Sequence, residues 1–444
     1  MNSKATALFV IAVWMLSIEI ATATDAGRTL SLDEAVRSGL ELHPMIRLAE
    51  HDVLGAEAVA KQIEAANYPQ VSAIWQNTGG NTRVLANLSV SGSLPKPTNY
   101  LTTPGVRVDY LITDFGYTAH SVLASRALAD ASGKDVSTIK ALVALNIKQA
   151  YLNCQKQQRF VDIQRDLLKR WQLVFAQAQG FYKKELRAKL DVETATAQMN
   201  QAELSLLRAQ NDLKVSFAVL NHAMGRPTVE TYELSPISLP PIAESSLDAL
   251  YESALSQRPE LQGNVDRIKA AEEGIKAAKA LRYGNITAIG TAGYTWWSRE
   301  EQPSGKEVSN PGAQLGFWGA GGTSAFPLYT GGRLDGKVDE AEARKSEVQA
   351  TARQIVNDVV LQVTRAQLSS QTAEQQIRVA EERVAHAREA LNLASERYKV
   401  SLGSILDLVA AIAFMTASEV GLAEARYEYQ ASRVALNYAV GAQP

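Results

Sequence analysis

Cysteine is nearly absent from this sequence: Cys154 is the only one among 444 residues. A single cysteine cannot form a disulfide within the chain, so in an oxidising compartment the fold must be held together by packing. Cys154 falls at a core position of a heptad pattern described below, which favours a packing role over a redox role. A small fold stapled by disulfides is therefore excluded.

Excess charge of one sign and enzyme signatures are also lacking. The formal net charge is −2, and no basic stripe with interleaved aromatic residues indicates nucleic-acid binding. The sequence has no His-Glu-x-x-His, Cys-x-x-Cys, Gly-x-Ser-x-Gly or P-loop motif, and its histidines lack metal-ligand spacing. We therefore expect no enzyme, no cofactor and no metal site. The histidines are His43, His51, His120, His222 and His386.

Long apolar runs are confined to the N-terminus. Lys4 precedes an apolar run at residues 7–18, and small residues follow up to Ala23. We expect a signal peptide over residues 1–23, because the run is too short to anchor the chain across a bilayer. No cysteine stands at the cleavage site, so no lipid anchor is expected. No later run reaches about 18 apolar residues, so no membrane-spanning helix is expected in the mature chain.

The mature sequence repeats itself at a nearly constant offset. Leu32-Asp33 recurs at Leu247-Asp248, and Leu190-Asp191 recurs at Leu406-Asp407. An offset that holds over the whole length indicates an internal tandem duplication, and prolines mark a linker between the halves. The predicted segments are a first repeat at 24–226, a linker at 227–245 and a second repeat at 246–444.

Both halves predict the same order of elements. A helix with acidic residues in its first turn is followed by two strands of period-two alternation and then by a very long helical stretch. Pro44 is expected to kink or split the first helix. The predicted bounds are 31–66, 71–115 and up to 225 in the first half, and up to 281, 286–328 and up to 440 in the second.

Proline is absent from residues 105–226 and 328–443. Both stretches are rich in good helix formers, and the second has apolar or small residues every seven positions, which is typical of a coiled coil. A helix over residues 116–180 would be about 100 Å long, which is longer than a compact domain needs. It must therefore project from the rest of the protein or line a larger structure. The second-half seam is Val356, Val363, Ser370, Ile377, Val384, Leu391 and Tyr398, and the looser first-half seam is Val143, Ile147, Ala150, Cys154, Val161, Leu168, Phe175 and Tyr182.

Each half supplies two strands, so the chain supplies about four. Their aromatic residues suit a membrane interface, although the core of a soluble sheet would explain them equally well. Open sheet edges are not tolerated in lipid, and the smallest membrane barrels have about eight strands, so a membrane role requires several copies of the chain. The aromatic residues are Trp75, Tyr110, Tyr294, Trp296, Trp297, Phe317 and Trp318.

Two short motifs recur at strand ends and at helix breaks. Residues 110–116 (YLITDFG) and 326–332 (FPLYTGG) resemble a P-hydrophobic-F-D-G-G signature, and the breaks after Tyr182 and Tyr398 resemble Y/F-x-V-G-L-x-x-x-x-D-V tips. In this order, repeated twice over the whole mature chain, the motifs resemble those of the TolC outer-membrane efflux family.

The resemblance implies an α+β membrane protein. Three chains would form a homotrimer with an antiparallel transmembrane β-barrel of about twelve strands, about four from each chain, above a long α-helical coiled-coil barrel. The trimer would contact outer-membrane lipid in a Gram-negative bacterium and extend into the periplasm. It would dock on a periplasmic adaptor (membrane fusion) protein joined to an inner-membrane pump of RND or ABC type. The chain itself would be a passive, gated exit duct for efflux or type I secretion.

The same resemblance implies a periplasmic gate at the second break. Asp407 matches an acidic ring at the constriction, while Tyr398 and Asp191 match a polar network that holds the helix pairs closed. Three carboxylates near one axis would attract cations. Two other roles stay open: Asp407 as an ordinary helix-cap residue and Tyr398 as a core residue of the seam. Ala410 stands where some members place a second ring aspartate.

The tips of the helical hairpins carry the implied adaptor contact. Leu186 and Leu402 match the tip residues used in that contact. Glu185 and Ser401 replace the tip glycine, so the turns must form without it. Gly403 stands where some members place an arginine of the closing network. We expect these five residues at the adaptor-contact tips, with a closing network that is weaker or differently wired.

A second class of protein also fits part of the sequence. A periplasmic coiled-coil adaptor or structural protein without a pore would explain the heptads and the signal peptide, but not two matched hairpins with aromatic strands. Within the exit-duct interpretation, the sequence does not decide between a proton-driven drug pump, a metal pump and an ATP-driven protein secretion machine.

Overall fold

The computed structural model describes residues 29–81, 98–228, 230–237, 246–300 and 313–442. The predicted signal peptide, the two predicted loops between strands and much of the predicted linker lie outside the described residues.

Both halves have the predicted order of elements. A pair of short helices leads into two strands, and two long helices follow. The first half contains β1 (Thr29–Leu30), α1 (Leu32–Leu42), α2 (Pro44–Glu64), β2 (Gln70–Asn81), β3 (Thr98–Thr113), α3 (Tyr117–Lys183) and α4 (Lys189–Ala223). The second half, preceded by β4 (Glu233–Leu234), contains α5 (Leu247–Gln257), α6 (Pro259–Ala280), β5 (Asn285–Glu300), β6 (Ala313–Ala325), α7 (Arg333–Lys399) and α8 (Ile405–Ala439).

Local sequence explains where the short helices begin and end. The Ser31 hydroxyl accepts a hydrogen bond from the Glu34 N–H at 3.2 Å and caps α1. Pro44 is the first residue of α2, where its missing N–H costs nothing. The predicted break at Pro44 is therefore a complete split, in which His43 ends one helix and its ring nitrogen accepts from the Met45 N–H at 3.2 Å.

The heptad pattern predicts the packing of the long helices well. Both α3 and α7 contain 67 residues, which corresponds to a rod of about 100 Å. Every predicted seam residue of the second half is buried or half-buried. In the first half Cys154 is fully buried, and burial raises its pKa to about 11, which fits a packing role. Tyr182 was predicted to be a seam residue, and this is wrong, because its side chain is 45% exposed.

The helices pack side by side around α3, with different neighbours in the half of α3 near the sheet and in the half far from it. Near the sheet, α3 packs between α2 and α6, and α6 packs on α7; towards the far end, α3 packs between α4 and α8, and α8 packs on α7. The lateral orders are therefore α2-α3-α6-α7 and α4-α3-α8-α7. In both orders α7 forms one edge of the subunit. The other edge is formed by α2 near the sheet and by α4 towards the far end.

Among the described residues, α8 alone is long and apolar enough to cross a membrane by composition. Its Leu408, Ile412 and Met415 are buried within the bundle. Leu408 and Ile412 pack with residues of α3 and α4, and Met415 packs with Val384 of α7. The apolar sequence of α8 thus serves helix packing in this fold.

Candidate functional site

The four long strands form one antiparallel sheet in the order β2-β3-β5-β6. Hairpins β2-β3 and β5-β6 come from the two halves, and β3 pairs with β5 at the centre. Tyr110 lies opposite Ala288, and Val106 lies opposite Ala292. Both outer strands leave one edge unpaired within the described chain.

The register divides the sheet into an apolar face and a polar face. Since side chains alternate between faces, the paired positions of all four strands can be assigned to one side or the other. The apolar face carries Val71, Ala73, Trp75, Val106, Val108, Tyr110, Ala288, Gly290, Ala292, Tyr294, Gly316, Trp318, Ala320 and Gly322. The other face carries Ser72, Ile74, Gly105, Arg107, Asp109, Thr287, Ile289, Thr291, Gly293, Phe317, Gly319, Gly321 and Thr323.

No other described part of the chain covers the apolar face. Trp318 is 84% exposed, and Trp75 and Val71 are also exposed. On the other face Arg107 donates two hydrogen bonds to Asp109 through its Nε, at 3.0 and 2.8 Å, so the charges of this pair stay on the polar side. The sheet thus presents a continuous apolar surface to its surroundings and a hydrophilic surface behind it.

The aromatic residues of the strands follow this division with one exception. Trp75, Tyr110, Tyr294 and Trp318 lie on the apolar face, and Trp296 continues it at the outer end, where it pairs with Thr102. Phe317 lies on the opposite face, and the side chain of Trp297 lies outside the described residues. From Tyr110 to the level of Trp296 is eight residues of β3, or about 27 Å along the strand, which is about 20 Å along the axis of a barrel with tilted strands.

The strand-to-helix junctions show why the strand-end motifs contain glycine and aspartate. Gly116 and Gly332 precede α3 and α7 with φ of 100° and 82°, a left-handed conformation that glycine adopts without strain. Asp114 accepts from the N–H groups of Gly116 and Thr118 at 3.2 and 2.8 Å, so its carboxylate caps the start of α3.

At the opposite end, two tight turns close the helical hairpins at the predicted breaks. Each helix ends in a Schellman motif, in which Leu186 N–H donates to the Phe181 carbonyl at 3.0 Å and Leu402 N–H donates to the Arg397 carbonyl at 2.8 Å. The left-handed residue of this motif is usually glycine. Here it is Glu185 with φ of 60° and Ser401 with φ of 62°.

Tyr398 and Asp191, predicted from the motifs, meet between the two tips. The Tyr398 hydroxyl donates to Asp191 Oδ2 at 3.2 Å. Tyr398 is 0% exposed and Asp191 is 8% exposed. Burial, followed by the nearby Asp191 carboxylate, raises the pKa of Tyr398 to about 12, so the phenol is neutral and able to donate at any physiological pH.

Arg187 completes this contact, and sequence reasoning missed it. Its Nη2 donates to the carbonyl of Gly403 at 2.7 Å, and its guanidinium lies 4.8 Å from the centre of the Tyr398 ring. Its Nη1 lies 3.7 Å from Asp191 Oδ2. This one arginine of the first tip thus binds the Gly403 carbonyl and the Tyr398 ring of the second tip and lies beside the Asp191 carboxylate of its own tip. We call Asp191, Arg187, Tyr398 and Gly403 the tip latch.

The arginine of the closing network is therefore supplied from a different place. The equivalent of Gly403 in the first repeat is Arg187. This repeat equivalence is the sequence signal that could have pointed to Arg187. The turn at Gly403 is tight, since an added Cβ there would approach the Cβ of Arg397 to 3.2 Å and the backbone nitrogen of Tyr398 to 3.3 Å. Whether the closing network is weaker or differently wired stays a prediction.

Asp407 behaves differently from its repeat equivalent Asp191. Its carboxylate accepts from the Ser404 N–H at 3.0 Å, while the Ser404 hydroxyl accepts from the Asp407 N–H at 3.1 Å, which makes a capping box at the start of α8. Those hydrogen bonds to Ser404 lower the pKa of Asp407. The side chain is exposed, as is the nearby Ala410. The capping role left open by the sequence is thus present, and the carboxylate remains exposed.

An ion pair also joins the two hairpins above the latch. Arg170 of α3 donates to both carboxylate oxygens of Glu419 of α8, at 3.0 and 2.8 Å. Arg170 lies 13 residues before the end of α3 at Lys183, which corresponds to about 20 Å above the tip. The two hairpins are therefore held together at two heights, by the tip latch and by the Arg170–Glu419 pair.

Comparison with known proteins gives one family. The model of the family "Outer membrane efflux protein" matches residues 35–226 and again 250–442. "Probable outer membrane lipoprotein SilC" of Salmonella typhimurium is 22% identical over 89% of this chain and 82% of its own length. "Cation efflux system protein CusC" of Escherichia coli is 22% identical over 93% of this chain and 88% of its own. The solved structure of a membrane protein from Pseudomonas aeruginosa is 21% identical, with a TM-score of 0.78 over 92% of this chain and 90% of that one.

Proposed function

This chain belongs to the outer membrane efflux protein family, and we propose that three copies close their sheets into one transmembrane barrel of about twelve strands. The family consists of efflux channels, not enzymes. The chain is an exit duct of the outer membrane that extends into the periplasm.

The two-faced sheet is the observation that carries this proposal. An apolar face with exposed Trp318 suits lipid, and a face with Thr291 and the Arg107–Asp109 pair suits a water-filled lumen. A soluble sheet would cover its apolar face with other parts of the chain. Here the long helices α3 and α7 pack against other helices and not against the sheet.

The unpaired edges support assembly by rotation. β2, α2 and α4 lie on one edge of the subunit, and β6 and α7 lie on the other. Because strand edges cannot face lipid unpaired, β6 of one copy must pair with β2 of the next. A head-to-tail contact of this kind closes into a ring, with the sheets forming the barrel and the helices continuing it as a hollow cylinder.

The tip latch is the proposed gate. It lies at the far end of a rod of about 100 Å, where the two hairpins of each subunit meet. Asp191, Arg187 and Tyr398 hold the hairpins together in the closed state, and Asp407 of each copy contributes to an acidic mouth that attracts cations. Opening requires a partner whose contacts favour separated hairpins.

Two partners complete the duct. A periplasmic adaptor binds the exposed tip leucines, Leu186 and Leu402, which are 60% and 74% exposed. An inner-membrane pump joined to that adaptor supplies the energy, since the chain offers only a passage.

The sheet proposal is tested by charges placed on neighbouring positions of one strand. Ala292→Arg puts an arginine on the apolar face, and Thr291→Arg puts one on the polar face. On the lipid side, arginine costs about 2–4 kcal/mol per subunit near the membrane midplane. We expect A292R to prevent outer-membrane assembly of the trimer and T291R to be tolerated, as measured by fractionation and by heat-modifiable migration. Equal assembly of both variants would refute the barrel.

A further inference from the structure

The two hairpin tips share an apolar pattern and differ in charge. Leu186 and Leu190 of the first tip correspond to Leu402 and Leu406 of the second, and all four are exposed. Such a repeated leucine pair, left in water at the end of a long rod, indicates a docking surface.

Charge breaks the equivalence of the tips. Lys183 and Lys184 stand at the end of α3, at the first tip. The equivalent positions of the second tip are Lys399 and Val400. Lys399 forms an ion pair with Glu396 at 2.8 Å. Lys183 and Lys184 are exposed, and within the described chain no carboxylate forms an ion pair with either of them.

A third lysine extends the basic surface of the first tip. Lys189 is exposed, whereas its counterpart Ile405 is buried in the cluster around Tyr398. Lys189 forms a solvent-exposed ion pair with Glu193, the residue one helical turn later, at 3.4 Å. Glu185 is the only acidic residue from 182 to 190, so positive charge dominates next to Leu186 and Leu190.

We propose that the first tip binds a hairpin of the adaptor that is acidic as well as apolar, while the second tip binds through its leucines alone. This inference rests on the adaptor docking proposed above. Exposed lysines beside exposed leucines attract an acidic partner at long range and then bury apolar surface at short range. The surface we mean, called the basic tip, consists of Lys183, Lys184, Leu186, Lys189 and Leu190.

The test uses photocross-linking in living cells that carry the full-length channel. Benzoylphenylalanine replaces Leu186, and the captured partner peptide is sequenced by mass spectrometry. Two charge series are compared on this background: Lys183→Gln with Lys184→Gln, and Lys183→Glu with Lys184→Glu. The matched control is Arg165→Glu with Lys169→Glu, which makes the same charge change on exposed positions of α3, about 20–27 Å above the tip.

We expect the captured peptide to come from a periplasmic helical hairpin with more acidic than basic residues around the cross-link. Cross-linking should fall in the order wild type, Gln pair, Glu pair, by at least about tenfold for the Glu pair, while the control stays at the wild-type level. Trimer yield and thermal midpoint are measured for each variant, and the Gln pair, which adds no negative charge at a helix C-terminus, guards against misfolding of the Glu pair.

Three results would overturn the inference. If a hairpin is captured but its cross-linking yield is the same in all lysine variants, adaptor docking stands and the role of charge is refuted. Capture of anionic lipid instead of protein would assign the basic tip to a membrane surface. If a channel that still exports captures no periplasmic protein at all, adaptor docking itself fails, and this inference fails with it.

Discussion

Tyr398→Phe is the sharpest perturbation of the tip latch. It removes the hydroxyl that donates to Asp191 at 3.2 Å and leaves the ring in place. The ring's contact with the Arg187 guanidinium at 4.8 Å and its edge contact with Phe181 at 6.0 Å survive the change. The variant therefore isolates one buried hydrogen bond to a carboxylate.

The expected size of the effect follows from burial. A hydrogen bond to a charged group contributes about 1.5–3 kcal/mol, and because Asp191 keeps Arg187 nearby at 3.7 Å, we take the lower end. About 1.5 kcal/mol is close to a tenfold shift of the closed–open equilibrium per subunit. If the three subunits open as one, the shift is about a thousandfold.

The assay is single-channel conductance of the purified trimer in planar bilayers. Y398F should raise the open fraction, and Tyr182→Phe, its repeat equivalent on an exposed residue, should not. In a double-mutant cycle, Asp191→Asn added to Y398F should cost less than the sum of the two single changes. An unchanged open fraction in Y398F, or an equal rise in Y182F, would refute the latch.

The pKa of Tyr398 fixes the alkaline behaviour of the same contact. The closed state raises this pKa from 10.0 to about 12, so it binds the phenolic proton more tightly than an exposed tyrosine does. The latch should therefore be fully present below about pH 10 and weaken as pH rises from about 10 to about 12. Conductance that is flat up to about pH 10 in wild type, with the later rise missing in Y398F, is the expected result.

Two variants separate the charge of Asp407 from its capping role. Asp407→Asn keeps an acceptor for the Ser404 N–H and removes the charge, so cation preference in single-channel recordings should fall. Ser404→Ala removes the capping hydroxyl and keeps the charge, so selectivity should persist while the start of α8 frays. Unchanged selectivity in D407N would count against the acidic mouth. Glu185→Gly and Ser401→Gly should each stabilise a tip by about 1 kcal/mol, seen as slower amide exchange, because glycine adopts their left-handed backbone without strain. Val400→Gly, at φ of −91°, is the control that should gain nothing.

Periodicity made most of the fold predictable. A heptad seam, which places residues such as Val363 and Val384 at multiples of seven positions or about every two turns, needs no tertiary information, since each position has the same kind of neighbour. The split at Pro44 and the paired strands likewise follow from local chemistry. These are features in which the near neighbours along the chain decide the outcome.

The latch was only half predictable for the opposite reason. Tyr182 and Tyr398 occupy equivalent places in the repeats, yet one is 45% exposed and the other is 0% exposed. Their place in the heptad pattern does not distinguish them, because the difference arises only where two hairpins meet. Arg187 was missed for the same cause: its partners are a carbonyl and a ring on a hairpin more than 200 positions away in sequence.

Two substitutions between the repeats explain which aspartate joins the latch. Asp407 is held by the hydroxyl and N–H of Ser404, so its carboxylate is already engaged at the start of α8. The position equivalent to Ser404 is Ala188, which has no side chain able to cap, and Asp191 is left to bind across the joint. The position equivalent to Gly403 is Arg187, so the cation stands on the same tip as the free carboxylate and reaches the glycine carbonyl opposite. The two tips are therefore complementary, because the first supplies the Asp191 carboxylate and the Arg187 guanidinium, while the second supplies the Tyr398 hydroxyl and the Gly403 carbonyl.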